Sequence, residues 1–333
     1  MYYFWIWIDM SKLNEIKAPL SKHLKEFDII FKSQMKSKVP LLDTITRYII
    51  KTKGKQMRPL FVFLSAGLCG KISERSYRAA SLIELLHTAT LIHDDVVDES
   101  YKRRGLFSLN ALWRNKISVL VGDYLLSRGL MIAVKNNDYD LLKIVSEAVE
   151  QMSEGELLQI EKARKLDISE KVYFDIIRKK TASLIASCCA AGSASGDADG
   201  ETIEHFREMG ENIGIAFQIK DDLFDYEQNA NADKPGAIDI QERKMTLPLI
   251  YLLQNSSYIE RRKIIFTIKN HNTNPEKVAQ IIQKVQAIGG LDYAETKMIE
   301  YREKALEFIA GFADSEFKSS LIKLIMYTTE RKK

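Results

Sequence analysis

"RSYRAASLIELLHTATLIHDDVVDES", residues 75–100, reads as one long helix, apolar over most of its length and closed by Asp94, Asp95 and Asp98. Helical periodicity of this kind decides the fold class, because it extends well beyond this stretch. Only 6 prolines and 16 glycines interrupt 333 residues, and few segments show the strict alternation of a strand. The sequence therefore predicts an all-α protein. With 46% hydrophobic residues the chain can bury a large core, and no linker or composition shift divides it. One helical domain over residues 1–333 is expected.

Working outward, an amphipathic lysine-rich helix is expected from Ser11 to about Phe31, and a second from Leu41 to Lys51. "TKGKQMRP" (52–59) breaks the pattern before a buried helix, "LFVFLSAGLCG". After residue 100, "YKRRGLFS" (101–108) reads as a loop, followed by a buried helix in "ISVLVGDYLLSRGLMIAVKN". Helices are expected over 139–165, 169–194 and 201–227, and "NANADKPGAIDIQERK" (229–244) reads as a polar lid. The stretch "TASLIASCCAAGSAS" is rich in small side chains, which lets neighbouring helices pack closely. From about residue 245 the helical patterns continue with no evident chemistry.

Net charge is +4, with no basic-aromatic platform and no zinc-finger spacing, so nucleic acid is not an expected partner. Cys69, Cys188 and Cys189 make no disulfide framework and fit a reduced, cytoplasmic compartment. The N-terminal "MYYFWIWI" falls well short of the ~20 apolar residues that span a bilayer, and it lacks the basic start of a signal peptide. Residues 1–10 are expected to be a disordered or non-native extension, with Met10 as the natural start; the alternative is a short aromatic anchor for a membrane surface or a partner chain.

The acidic turn raises the functional question. Positions i and i+4 share a helix face, so Asp94 and Asp98 point the same way, and "FQIKDDLFDYE" repeats the arrangement with Asp221, Asp222 and Asp225. Such carboxylates repel by a few tenths of a kcal/mol in water, and by more where apolar neighbours desolvate them. A hard divalent cation removes the conflict; Mg²⁺ takes one or two carboxylates plus water and phosphate oxygens. Two such turns facing each other across a cavity would hold Mg²⁺ and, through it, a polyphosphate. Cations stand near both: Lys55 and Arg58, Arg103 and Arg104, Lys180 beside Thr181, Lys234 and Lys244. They fit phosphate-bearing substrates, with arginine suited to bidentate contacts.

D-D-x-x-D followed by R-R-G, G-K-x-x-R-P upstream, K-T in the middle, then F-Q-x-x-D-D-x-x-D and K-P-G-x-D, in that order from Gly54 to Pro248, resembles the trans-isoprenyl diphosphate synthases, the polyprenyl synthetase family. Gln56 stands where that family often has a basic residue. The resemblance implies a helical bundle around a central cavity and a head-to-tail (1′-4) condensation of isopentenyl diphosphate onto an allylic diphosphate. Asp94, Asp98 and Asp221, supported by Asp95, Asp222 and Asp225, would hold about three Mg²⁺ ions that neutralise the leaving diphosphate. Arg103, Lys180, Lys234 and Lys244 would bind that diphosphate, with Thr181 and Gln218 turning oxygens toward the developing cation. Lys55, Arg58, His87 and Arg104 match the isopentenyl diphosphate site. His87 lies two turns before Asp94 on the same side of the helix, whereas His93 reads as a core residue. A homodimer and transient membrane contact for product release are also implied.

Product length follows from the same helix. One turn before Asp94 stand Ala89 and Thr90, and a further turn reaches Leu86 and Leu85; each turn is ~5.4 Å, the scale of one isoprene unit. Small residues at 89 and 90 leave the path open, so a long product, hexaprenyl to nonaprenyl, is expected, with Leu126, Leu130 and Met131 as the floor. Such products serve quinone side chains. The alternatives are a short-chain farnesyl or geranylgeranyl diphosphate synthase, a terpene cyclase, and a non-catalytic synthase subunit. The cyclase lacks a use for the second aspartate turn, Lys55 and Arg58; the inactive subunit would have lost some of these groups.

Overall fold

The computed structural model describes residues 11–51, 54, 56–103, 106–166, 168–227 and 238–331. A first helix, α1 (11–17), passes through a 3-10 turn, Ala18–Leu20, into α2 (Ser21–Gln34), followed by α3 (Pro40–Lys51), α4 (Met57–Cys69) and α5 (Glu74–Val97). A hairpin of β1 (Lys102–Arg103) and β2 (Leu106–Phe107) precedes α6 (Leu109–Lys135) and α7 (Tyr139–Lys165). Then come α8 (Glu170–Ile177), α9 (Ser183–Ser195), α10 (Gly200–Glu227), α11 (Ile238–Gln241), α12 (Leu247–Gln254), α13 (Tyr258–His271), α14 (Pro275–Ala287), α15 (Gly290–Ala310) and α16 (Glu316–Glu330). The all-α expectation holds. Within the stretch read as a loop, residues 102–103 and 106–107 are corrected to a pair of antiparallel strands, Lys102 facing Phe107 and Arg103 facing Leu106. Strands of two residues are too short for an alternating pattern to show.

Helix α9 is the axis of the molecule. Every residue in it except Ile185 is buried, and it packs on α4, α5, α7 and α10. Its small side chains are what permit this: a Cβ on Gly192 would stand 2.4 Å from the Val62 carbonyl oxygen of α4. Close approaches also set direction. Ala182 lies against Gly214, and Ala186 against Gly210, so α10 runs antiparallel to α9. Ser76 bonds Ser195 at 2.9 Å, while Glu84 is within electrostatic reach of Cys188, so α5 is antiparallel to α9 as well. Both helices therefore end beside the N-terminal end of α9.

Two apolar clusters fill the molecule. One gathers α2–α7, α9, α16 and the C-terminal part of α15; the other gathers α8, α12–α14 and the N-terminal part of α15. Helix α10 belongs to both, through Phe206, Met209 and Ile213 in the first and Ile215, Ile219 and Leu223 in the second. Between α8 and α9 the chain forms one wide π-helical turn, Arg178–Ala182. Such turns insert an extra residue into a helix and are frequent at functional sites. Gly155 of α7 makes room for it, since a Cβ there would stand 2.7 Å from the Lys180 amide nitrogen.

Candidate active site

The π-turn delivers Lys180 and Thr181 to a cavity of about 280 Å³ that is also lined by Gln218, Asp221, Asp222, Asp225 and Lys244. Seven of the expected site residues, from three separate segments, thus line one cavity. Lys180 Nζ lies 2.5 Å from Glu156 and 3.2 Å from Gln159 Oε1. Lys244 sits 2.6 Å from Glu242 and 3.5 Å from Asp239. Burial alone would lower the Lys244 pKa, yet these two carboxylates carry it above its ordinary value. It stays a cation.

The three aspartates of the second turn have different surroundings. Asp221 accepts from the Arg331 guanidinium, which also stacks 4.2 Å from the centre of the Phe217 ring. Asp225 accepts from the amides of Ile238 and Asp239, both at 3.1 Å, and so anchors α11. Asp222 is 7% exposed, accepting from Tyr173 Oη at 2.8 Å and from Gln218 Nε2 at 2.9 Å. Burial, with the neighbouring Asp239 charge, pushes its pKa up to about 7 against the pull of both hydrogen bonds. Thr181 in turn donates to Gln218 Oε1 at 2.7 Å.

The first turn closes α5. Asp94 and Asp98 are exposed, Asp98 is the C-terminal cap, and its amide donates to the Asp94 carbonyl at 2.8 Å. Asp95 is 4% exposed and lines a smaller cavity, about 90 Å³, with Arg58, Glu84 and His87. Arg58 holds Glu84 through two bonds, Nε to Oε2 at 2.9 Å and Nη2 to Oε1 at 3.2 Å. The α5 register on α9 brings this turn to the end of α9 where Lys180 and Thr181 stand. Among the described residues, no three His, Cys, Asp or Glu side chains are grouped as a metal site by themselves. The donor set nevertheless fits Mg²⁺: hard carboxylate oxygens from two helix ends, with room for the water and phosphate oxygens that this ion retains.

Lys55, Arg104 and Lys234, and the side chain of Arg103, lie outside the described residues, as does the extension 1–10. Sequence reasoning missed Glu84, Glu156, Asp239, Tyr173 and Arg331. Glu84 carried a signal, being three residues before His87 on an otherwise apolar helix face. Arg331 carried none; it brings a guanidinium from the last helix's end to Asp221.

Along α5, Ala89 and Leu86 are buried and Thr90 is half-buried, its hydroxyl donating to the His87 carbonyl at 2.8 Å. Helix α6 runs back antiparallel: the His93 ring lies over Gly122, and Leu86 lies against Gly129. That register sets Leu126 beside Ala89 and Leu130 beside Leu85. Met131 is a correction. It is 43% exposed, and nine residues from Gly122 places it about 180° round the helix, turned away from α5.

The sequence profile of the polyprenyl synthetase family matches residues 39–285. An all-trans-nonaprenyl-diphosphate synthase (geranyl-diphosphate specific) of Rhodobacter capsulatus is 35% identical over 320 residues, covering 96% of this chain and 98% of its own. A crystal structure of a decaprenyl diphosphate synthase from Rhodobacter capsulatus superposes with TM-score 0.90 at 31% identity, covering 96% of this chain and 99% of the other. A geranylgeranyl pyrophosphate synthase from Bacteroides thetaiotaomicron superposes at 0.81 with 36% identity, covering 96% and 100%. The chain belongs to the polyprenyl synthetase family. It is a prenyltransferase of the polyprenyl diphosphate synthase type, acting on small diphosphate substrates.

Proposed function

We propose that the chain condenses isopentenyl diphosphate with an allylic diphosphate in Mg²⁺-dependent 1′-4 steps, releasing pyrophosphate and building an all-trans polyprenyl diphosphate of hexaprenyl to nonaprenyl length for a quinone side chain. The observation that carries this reading is the cavity where Lys180, Thr181, Gln218, Asp221, Asp225 and Lys244 converge, at the end of α9 toward which both aspartate turns run. Asp94, Asp98 and Asp221 would hold the metal, which when bound neutralises the departing diphosphate. Lys180 and Lys244, joined by Arg103 and Lys234, bind the allylic diphosphate, whose higher charge competes with Glu156 and Glu242 for the two ammonium groups. As its C–O bond breaks, the oxygens of Thr181 and Gln218 face the allylic cation. Arg58 and His87, with Lys55 and Arg104, hold isopentenyl diphosphate so that its double bond attacks that cation. The surplus proton leaves to pyrophosphate.

Small residues at 89 and 90 support a long product, as do relatives whose names are nonaprenyl and octaprenyl diphosphate synthase. The floor is assigned to Leu126 and Leu130. The reading includes a homodimer through α6, on whose outer face Leu120, Met131 and Val134 are 59%, 43% and 41% exposed, and transient membrane contact as the apolar product leaves. The test is an assay of purified protein with Mg²⁺, labelled isopentenyl diphosphate and geranyl, farnesyl or geranylgeranyl diphosphate as primer, products being sized by chromatography. Mg²⁺-dependent incorporation into chains of six or more isoprene units is expected. No incorporation with any primer, or incorporation that survives EDTA, overturns the reading.

A further inference from the structure

The expected metal set includes Asp222, yet its geometry serves something else. Asp222 is buried, and each of its carboxylate oxygens already accepts a hydrogen bond, Oδ2 from Tyr173 and Oδ1 from Gln218. Tyr173 is 4% exposed and comes from α8, a different segment from either aspartate turn. The Gln218 amide is joined at both ends, its Nε2 to Asp222 and its Oε1 to the Thr181 hydroxyl.

We propose that Tyr173 and Asp222 are positioning residues: Tyr173 holds the Asp222 carboxylate, Asp222 fixes the orientation of the Gln218 amide, and that orientation sets which atoms Gln218 and Thr181 present to the reacting carbon. A primary amide has two nearly isosteric orientations with opposite chemistry, one presenting oxygen and the other N–H donors. In its ionised form Asp222 accepts only, so Nε2 then turns to Asp222 and Oε1 toward Thr181. The Thr181 proton is then directed at Oε1, which leaves the hydroxyl's lone pairs for the cavity. Without the carboxylate the amide is free to turn its N–H groups inward, where they repel a carbocation. Tyr173 matters because it fixes the second oxygen. With Oδ2 held by the phenol, Asp222 keeps Oδ1 on Gln218. The inference rests on the reading that Thr181 and Gln218 face the allylic cation.

The test is a double-mutant cycle of Tyr173→Phe and Gln218→Ala, with kcat and KM for both substrates, Mn²⁺ affinity measured by electron paramagnetic resonance without substrate, and melting temperature. Tyr173→Phe should lower kcat about 10-fold or more, as expected for losing a hydrogen bond to a charged group, and leave KM and Mn²⁺ affinity unchanged. In the Gln218→Ala background the same change should cost less than about twofold, because its route to the reaction is already gone. Fully additive losses, or an unchanged kcat for Tyr173→Phe, overturn the proposal. If Tyr173→Phe melts below assay temperature, Asp222→Asn decides: unchanged Mn²⁺ affinity with reduced kcat supports the relay, and a loss of affinity of about 10-fold or more makes Asp222 a metal ligand. Inactive wild-type protein would instead sink the underlying reading of the reaction.

Discussion

Carboxylates in this site divide by what they touch rather than by motif position. Glu84 forms a two-point pair with the partly buried Arg58 and so aims a guanidinium assigned to isopentenyl diphosphate. Glu84→Gln keeps the volume but removes the charge; steady-state kinetics should show KM for isopentenyl diphosphate rising roughly 10-fold with kcat nearly constant. Asp222 makes a pH prediction. Its pKa stands at about 7 in the fold, against ~3.9 in an unfolded chain. Between those values the native state binds the extra proton, so stability falls as pH rises, by at most about 1.4 kcal/mol per unit from this group. Denaturant unfolding in EDTA should show greater stability near pH 5 than near pH 7.5. Asp222→Asn should flatten that slope without abolishing it, because burial also raises the Asp239 pKa.

At the scale of elements, two helix pairs carry the function. The α9–α10 pair holds the π-turn in place by backbone contact, a Cβ on Gly214 standing 2.3 Å from Ala182 Cα. Gly214→Val therefore overpacks that contact, and calorimetry should find a loss of about 2–3 kcal/mol, several degrees in Tm, with activity falling further than stability alone explains. The α5–α6 pair bounds the path of the growing chain. Ala89→Phe, placed opposite Leu126, should shorten the product to farnesyl or geranylgeranyl diphosphate on chromatography while the first condensation continues; an unchanged product length would remove the path from this helix pair. The helical character and the approximate extent of the helices before residue 245 were legible from periodicity; the five helices after it were read only as helical pattern. The π-turn and the hairpin were not, because each departs from the period over too few residues to be seen.

For the whole molecule, α6 carries an exposed apolar stripe of Leu120, Met131 and Val134, and a second copy covers it in the proposed dimer. Leu120→Lys should convert a dimer to a monomer in light scattering coupled to gel filtration, since it puts a charge at the centre of an apolar contact. By itself the sequence determined the helical fold, the two acidic turns, the cations in the motifs around them and the small residues at 89 and 90. All are local: each follows from spacing along one chain segment, and each segment carries its own signal. Only the tertiary structure decided that Asp222 faces Tyr173 and Gln218, that Glu84 belongs to Arg58, that Arg331 returns to Asp221 and that Met131 turns outward. Those relations join residues up to 110 apart in the chain. They depend on helix register and direction, which are set by where small side chains let backbones touch.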